Sequence, residues 1–223
     1  YRIRSMTTTE LTAEEIHQIG LSEVARIEAE MHEILAAEGY ADAPLPELLR
    51  GLAGEERFLR PDTPEAKQEI VSEFQEIVDE ISGGIRAAFN IVPAAPLEVR
   101  RIPAYREATA ASHYNPASLD GSRPAIFFAK LAEIPPRFEM RTLAYHEGIP
   151  GHHFQVGIQT ELGDIPNFRK IPAFTAFIEG WALYAERLAW EMGYQTDPFD
   201  DLGRLKAEQF RAVRLVVDTG LHF

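Results

Sequence analysis

Residues 145–154 read Tyr-His-Glu-Gly-Ile-Pro-Gly-His-His-Phe, and the rest of the chain is best read outward from them. Three of the seven histidines of the sequence fall here, and a glutamate directly follows the first. Neutral imidazoles beside a carboxylate are the groups a catalytic zinc requires, as ligands and as a base for water. In the H-E-x-x-H form of such a site the two histidines lie one helical turn apart. Here Pro150 occupies the fifth position, so the pattern is a variant.

On an unbroken helix, turning about 100° and rising about 1.5 Å per residue, His152 lies about 120° around from His146. His153 lies within about 20° of it but roughly 10 Å further along the axis. Neither could share an ion with His146. Pro150 removes a backbone hydrogen bond and clashes with the preceding turn, so it bends or ends the helix. Gly151 permits backbone that other residues resist. A break at this pair brings His146, ending one segment, towards His152 or His153, starting the next. The spacing leaves open whether one of the two binds, and which, or both. Glu147 is then the expected general base.

A third ligand is expected from Phe177-Ile178-Glu179-Gly180-Trp181-Ala182-Leu183-Tyr184-Ala185-Glu186. Glu179 interrupts an apolar run, Ala173 to Leu183, on a helix predicted to be buried. A buried carboxylate requires a cation or several donors. Glu186, seven residues on, lies on nearly the same face and either reinforces the site or pairs with an arginine. Tyr184, His113, Tyr114 and His222 are candidate donors to an oxyanion. His222 also follows Asp218 by four residues, a spacing that favours a hydrogen bond within one helix. Arg211 and Arg214 are candidates to receive a substrate carboxylate, or to pair with the Glu179 helix. His17 and His32 fall in a charged helix and read as exposed.

The wider pattern is mostly α. Thr12 with Glu15 forms a capping box before the periodic positions Ile16, Ile19, Val24, Ile27, Met31 and Ile34, and Gly39 ends that run. A short helix is expected over 45–52. Thr63-Pro64 opens another, with Ile70, Phe74, Ile77, Val78, Ile81 and Ile85 on one face. Prolines punctuate 93–136, where 97–102 alternates as a strand and 125–129 reads as a second, more buried one, with Asp120-Gly121 as a turn between them. A small sheet or ribbon is expected there, just before the histidines. Helix resumes over 137–149, after the break through about 162, over 172–193 and over 202–221, the last with Leu205, Phe210, Val213 and Val217 as its apolar side. This gives one helical catalytic unit: a helical part (1–92), a β-containing insertion (93–136) and metal-site helices (137–223).

Composition narrows the function. Acidic residues number 35 against 22 basic, a formal charge of −13, with no basic run, which argues against nucleic acid. With no cysteine, disulfides and thiolate sites are excluded, and a reducing, cytoplasmic setting is compatible. No apolar run approaches the roughly 18 residues of a membrane span. The first residue is Tyr1 and the last three follow a helical pattern, so the chain reads as a fragment.

At these motifs the chain resembles the bacterial proteins grouped as domain of unknown function (DUF) 885. The likeness rests on His146 to Gln155, on Glu179 to Glu186, on Thr7 to Thr12, on Asp120-Gly121-Ser122-Arg123-Pro124 and on Arg211 to His222. It extends over nearly the whole chain, and family members continue beyond both ends. Ala125 departs from a glycine frequent in the family. The family in turn resembles the helical gluzincin peptidases. That likeness implies a multi-helical gluzincin-like fold, Zn2+ held by His146, His152 and Glu179, and Glu147 as base. The family pattern H-E-x-x-P-G-H favours His152 over His153. The activity implied is hydrolysis of short peptides. The alternatives are hydrolysis of other amides or esters, and a relative that binds metal without catalysis.

Overall fold

The computed structural model describes residues 2–171 and 174–222. Its helices are α1 (Arg2–Thr7), α2 (Ala13–Ala37), α3 (Leu45–Ala53), α4 (Pro64–Gly84), α5 (Ala104–Glu107), α6 (Met140–Glu147), α7 (His152–Glu161), α8 (Thr175–Glu191) and α9 (Pro198–His222). Three short strands, β1 (Leu97–Arg101), β2 (His113–Asn115) and β3 (Ala125–Ala129), make one sheet. The chain is therefore mostly helical with a small sheet before the histidine motif.

Local chemistry sets the helix starts. The Thr12 hydroxyl accepts the Glu15 N–H at 3.2 Å while the Glu15 carboxylate accepts the Thr12 N–H at 2.8 Å, a closed capping box. Thr63 caps α4 through the Ala66 N–H, and Pro64, lacking an N–H, opens it.

Two apolar cores follow. One joins α4 (Ile70, Phe74, Ile77, Val78, Ile81) to the sheet (Val99, Phe127, Ala129), to α6 (Met140, Ala144, Tyr145) and to Phe154 of α7. The other joins α2 (Ile27, Met31, Leu35), α3 (Leu45, Leu52) and α9 (Phe199, Leu202, Leu205, Ala212) around Phe58 and Phe138. The α2–α9 pair is the most extensive helix packing in the molecule. Gly203 lets α9 cross the turn at Arg137–Glu139, because a Cβ there would meet the Phe138 carbonyl oxygen at 2.0 Å.

Several sequence expectations are corrected. The strands at 97 and 125 belong to a small three-stranded sheet and not to a two-stranded ribbon. They run parallel, Leu97 opposite Ala125 through Arg101 opposite Ala129, and a parallel pair needs a crossover. That crossover carries α5 and β2. The short β2 was not anticipated, and it pairs antiparallel with the other edge of β3. The Asp120-Gly121 turn exists, with Gly121 at φ 72° and the Ser122 N–H on the Asp120 carboxylate, but it connects β2 to β3.

The helix expected from 172 begins at Thr175 in the structure, and Pro172 and Ala173 lie outside the described residues. Nor is α8 buried all round. Its inward stripe is Ala182, Ala185, Glu186 and Ala189, small residues that let it lie close to α6, while Phe177 and Tyr184 face outward. On α9, Leu205 is buried, but Phe210, Val213 and Val217 are exposed. His17 is not simply solvated, since its Nδ1 lies 2.8 Å from the Thr219 hydroxyl and joins α2 to α9. Among the described residues no helix is long and apolar enough to cross a membrane.

Candidate metal centre

The break at Pro150-Gly151 does what the spacing required. α6 ends at Glu147 and α7 begins at His152. The start of α7 folds tightly onto the end of α6: a Cβ at Gly151 would lie 2.0 Å from the His146 carbonyl oxygen and 2.3 Å from that of Tyr145. The Trp181 indole N–H donates to the Pro150 carbonyl at 2.8 Å, fixing the turn against α8.

As a result the His146 and His152 rings meet edge to face, with centroids 4.7 Å apart. Glu179 of α8 completes the group. Its Oε2 lies 3.5 Å from His146 Nε2 and 3.7 Å from His152 Nε2, and the three donors all fall within 4.8 Å of one another. These separations exceed a hydrogen bond. Ligands about 2.0–2.1 Å from a tetrahedral zinc sit about 3.3–3.4 Å apart, close to the two distances found here. Two buried imidazoles and one carboxylate are also a donor set of the catalytic zinc type. The residues fit a divalent cation. Contrary to the expectation of a buried carboxylate, the Glu179 side chain is 57% exposed and reaches in from the open side.

Behind the donors, Glu186 is buried, 1% exposed, with its Oε1 2.7 Å from His146 Nδ1. The same Nδ1 has the Arg211 Nη2 3.0 Å away, so it is held between a carboxylate and a cation while Nε2 faces Glu179. The Arg211 guanidinium on α9 donates to the same Glu186 oxygen at 2.8 Å and to the Ala207 carbonyl at 2.9 Å. Both alternatives for Glu186 therefore hold together: it supports a histidine and pairs with an arginine. The link to α9 carried no signal in local spacing.

His153 turns the other way. Its Nδ1 lies 3.2 Å from the Tyr114 hydroxyl, and it stands outside the three-donor group. Burial holds its pKa down at about 4. Tyr114 of β2 lies nearly parallel to the His152 ring, centroids 6.5 Å apart. The Tyr114–His153 pair went unanticipated, because β2 itself did.

Glu147 is buried beside His146. Loss of hydration pushes its carboxyl up to about 7, against the lowering effect of His146. Burial disfavours the charged form of His146, yet Glu179 and Glu186 outweigh it and raise that ring to about 9. Burial and then the neighbouring His146 lower His152 to about 4. The arrangement favours one positive charge between the rings, the place a cation would take.

These groups line a cavity of about 1100 Å³ bounded by α6, α7, α8, α9 and β2. His113 and Tyr114 are in its wall. Two of the expected oxyanion donors are not. Tyr184 is half-exposed, packs on Trp181 and borders a separate cavity of about 210 Å³. His222 is exposed, its Nδ1 2.8 Å from the Asp218 backbone carbonyl oxygen, and it does not border the main cavity. Both side chains are drawn outward by the faces their helices present.

The chain belongs to the family described as bacterial protein of unknown function (DUF885), whose model matches residues 1–223. Among solved structures it is similar to a candidate lipoprotein from Colwellia psychrerythraea, at 42% identity and a TM-score of 0.95 over 98% of this chain. This chain spans 38% of that one. No curated protein matches it.

Proposed function

We propose that this chain carries the centre of a zinc-dependent peptidase acting on short peptides, with a gluzincin-like use of His146, His152 and Glu179 to hold the ion. The observation that supports it most is the convergence of those three donors within 4.8 Å at the wall of a cavity large enough for a short peptide. Zinc, when bound, supplies a Lewis acid and makes water a nucleophile near neutral pH.

The remaining work falls to the chain. Glu147 follows the first ligand, is shielded from solvent, and has a carboxyl poised near neutrality, which suits it to take a proton from water at its Oε atoms. The water oxygen joins the carbonyl carbon, the C–N bond breaks, and Glu147 returns the proton to the departing amine. Glu186 holds the His146 ring by its Nδ1, with Nε2 turned towards Glu179. The edge strand β2 borders the cavity and offers backbone groups to an extended substrate.

Substitution Glu147→Gln tests the reading. Hydrolysis of short peptides should fall by about 10²–10⁴-fold, the usual contribution of general acid–base catalysis, with metal content unchanged. Retained hydrolysis with zinc still bound removes the proposed base. Cleavage of other amides or esters but no peptides reassigns the substrate class.

A further inference from the structure

We propose that Arg214, at the lip of the cavity, receives the free carboxylate of a substrate whose C-terminal side chain is apolar. The inference rests on the peptidase reading for the cleavage that follows, but the recognition has its own geometry.

Three cations of α9 line the cavity: Lys206, Arg211 and Arg214. Two are engaged. Lys206 pairs with Glu139, and Arg211 pairs with Glu186 at 2.8 Å. For Arg214 no carboxylate lies within 4.0 Å among the described residues. Its guanidinium instead lies 5.7 Å from the Phe210 ring centroid. Phe210 is 64% exposed, and Val213 beside it is exposed as well, both in the cavity wall. A planar fork of donors next to an aromatic and an aliphatic side chain matches a carboxylate attached to an apolar residue.

Position and charge agree with this. Arg211 and Arg214 are three residues apart on one helix, about 4.5 Å of rise. An extended peptide advances about 3.3–3.6 Å per residue. Arg211 reaches His146 Nδ1 at 3.0 Å, so a carboxylate at Arg214 lies within the span of a short peptide from that histidine. The chain as a whole carries −13, which repels carboxylates, so a substrate of that kind needs a cation within the cavity.

The test compares acetyl-Gly-Phe with its C-terminal amide, in the zinc-loaded Glu147→Gln background to stop turnover. Calorimetry should show the acid bound about 10- to 100-fold more tightly than the amide, and Arg214→Gln should remove at least tenfold of that preference, with Arg214→Lys restoring part of it. Equal binding of acid and amide, or a preference that survives Arg214→Gln, overturns the proposal. Arg214 is exposed, so an unchanged melting temperature will show that the variant folds. If the acid is bound as expected but never cleaved by the unsubstituted chain, it is the peptidase reading that fails and the recognition stands.

Discussion

Glu186 and His146 are bonded at 2.7 Å across the packing of α8 on α6, and the carboxylate that makes this bond is also held by Arg211. One buried oxygen thus orients the ring of a candidate ligand and ties it to a third helix. Replacing Glu186 with Gln keeps the shape but removes the negative charge that faces both Nδ1 and Arg211, so the ring is held less firmly. Zinc affinity is expected to fall about 10- to 100-fold, measured by competition with a chromogenic chelator. An unchanged affinity would show that the bond supports packing alone.

Zinc should also stabilise the fold. At a free concentration about 100 times the dissociation constant, binding contributes about 2.7 kcal/mol, which for a chain of this size is a rise of roughly 5–10 °C in melting temperature. Chelator should reverse it, and His146→Ala or Glu179→Ala should abolish it. A rise that persists in both variants would place the ion elsewhere.

Gly151→Ala makes a sharper demand on the turn. The new methyl would overlap two carbonyl oxygens of α6, at 2.0 and 2.3 Å, and backbone cannot step aside as a side chain can. A loss of more than about 3 kcal/mol is expected in urea denaturation, together with loss of zinc binding. Wild-type stability in this variant would mean that α7 does not pack on α6 as described.

Glu107 offers a pH-dependent test away from the site. It is buried, accepts two hydrogen bonds from Arg101 at 2.8 and 2.7 Å, and accepts the Leu131 N–H at 3.0 Å, closing the crossover between β1 and β3. The Arg101 contact, against the opposing effect of burial, holds its carboxyl below the ordinary 4.5. Its stabilising contribution is therefore full above pH 4.5 and is lost as pH falls through the lower folded value. Glu107→Gln should cost about 1.5–3 kcal/mol at pH 7, and the gap to wild type should close in acid. A gap independent of pH would assign the cost to packing rather than charge.

How much of this was legible in the sequence depends on how local each cause is. The starts of α2 and α4 are written in Thr12, Glu15, Thr63 and Pro64, a few residues each. The break between His146 and His152 is equally local, since Pro150 and Gly151 dictate it. The parallel pairing of β1 with β3 is not, because nothing in either strand names its neighbour. The same holds for α8, where an apolar composition suggested burial all round. The packing instead turned alanines inward and left Phe177 and Tyr184 outside. At the site, Glu179 comes near both histidines as its place in the run implied, though it arrives from the solvent side. The Arg211 contact to Glu186 depends on how α9 crosses α8, and the Tyr114 contact to His153 depends on a three-residue strand. His222 shows the limit of a favourable spacing: its interval from Asp218 yields a bond to the backbone carbonyl and no part in the cavity.

The 25 residues of α9 form a rod about 37 Å long. It packs on α2 along most of that length, from Leu202 and Leu205 beside Ile27 to Thr219 on His17, and between those contacts it bears the arginine that steadies Glu186. The arginine is therefore seated by packing on the helix side away from it, so the long α2 seam sets where the Arg211 guanidinium meets Glu186.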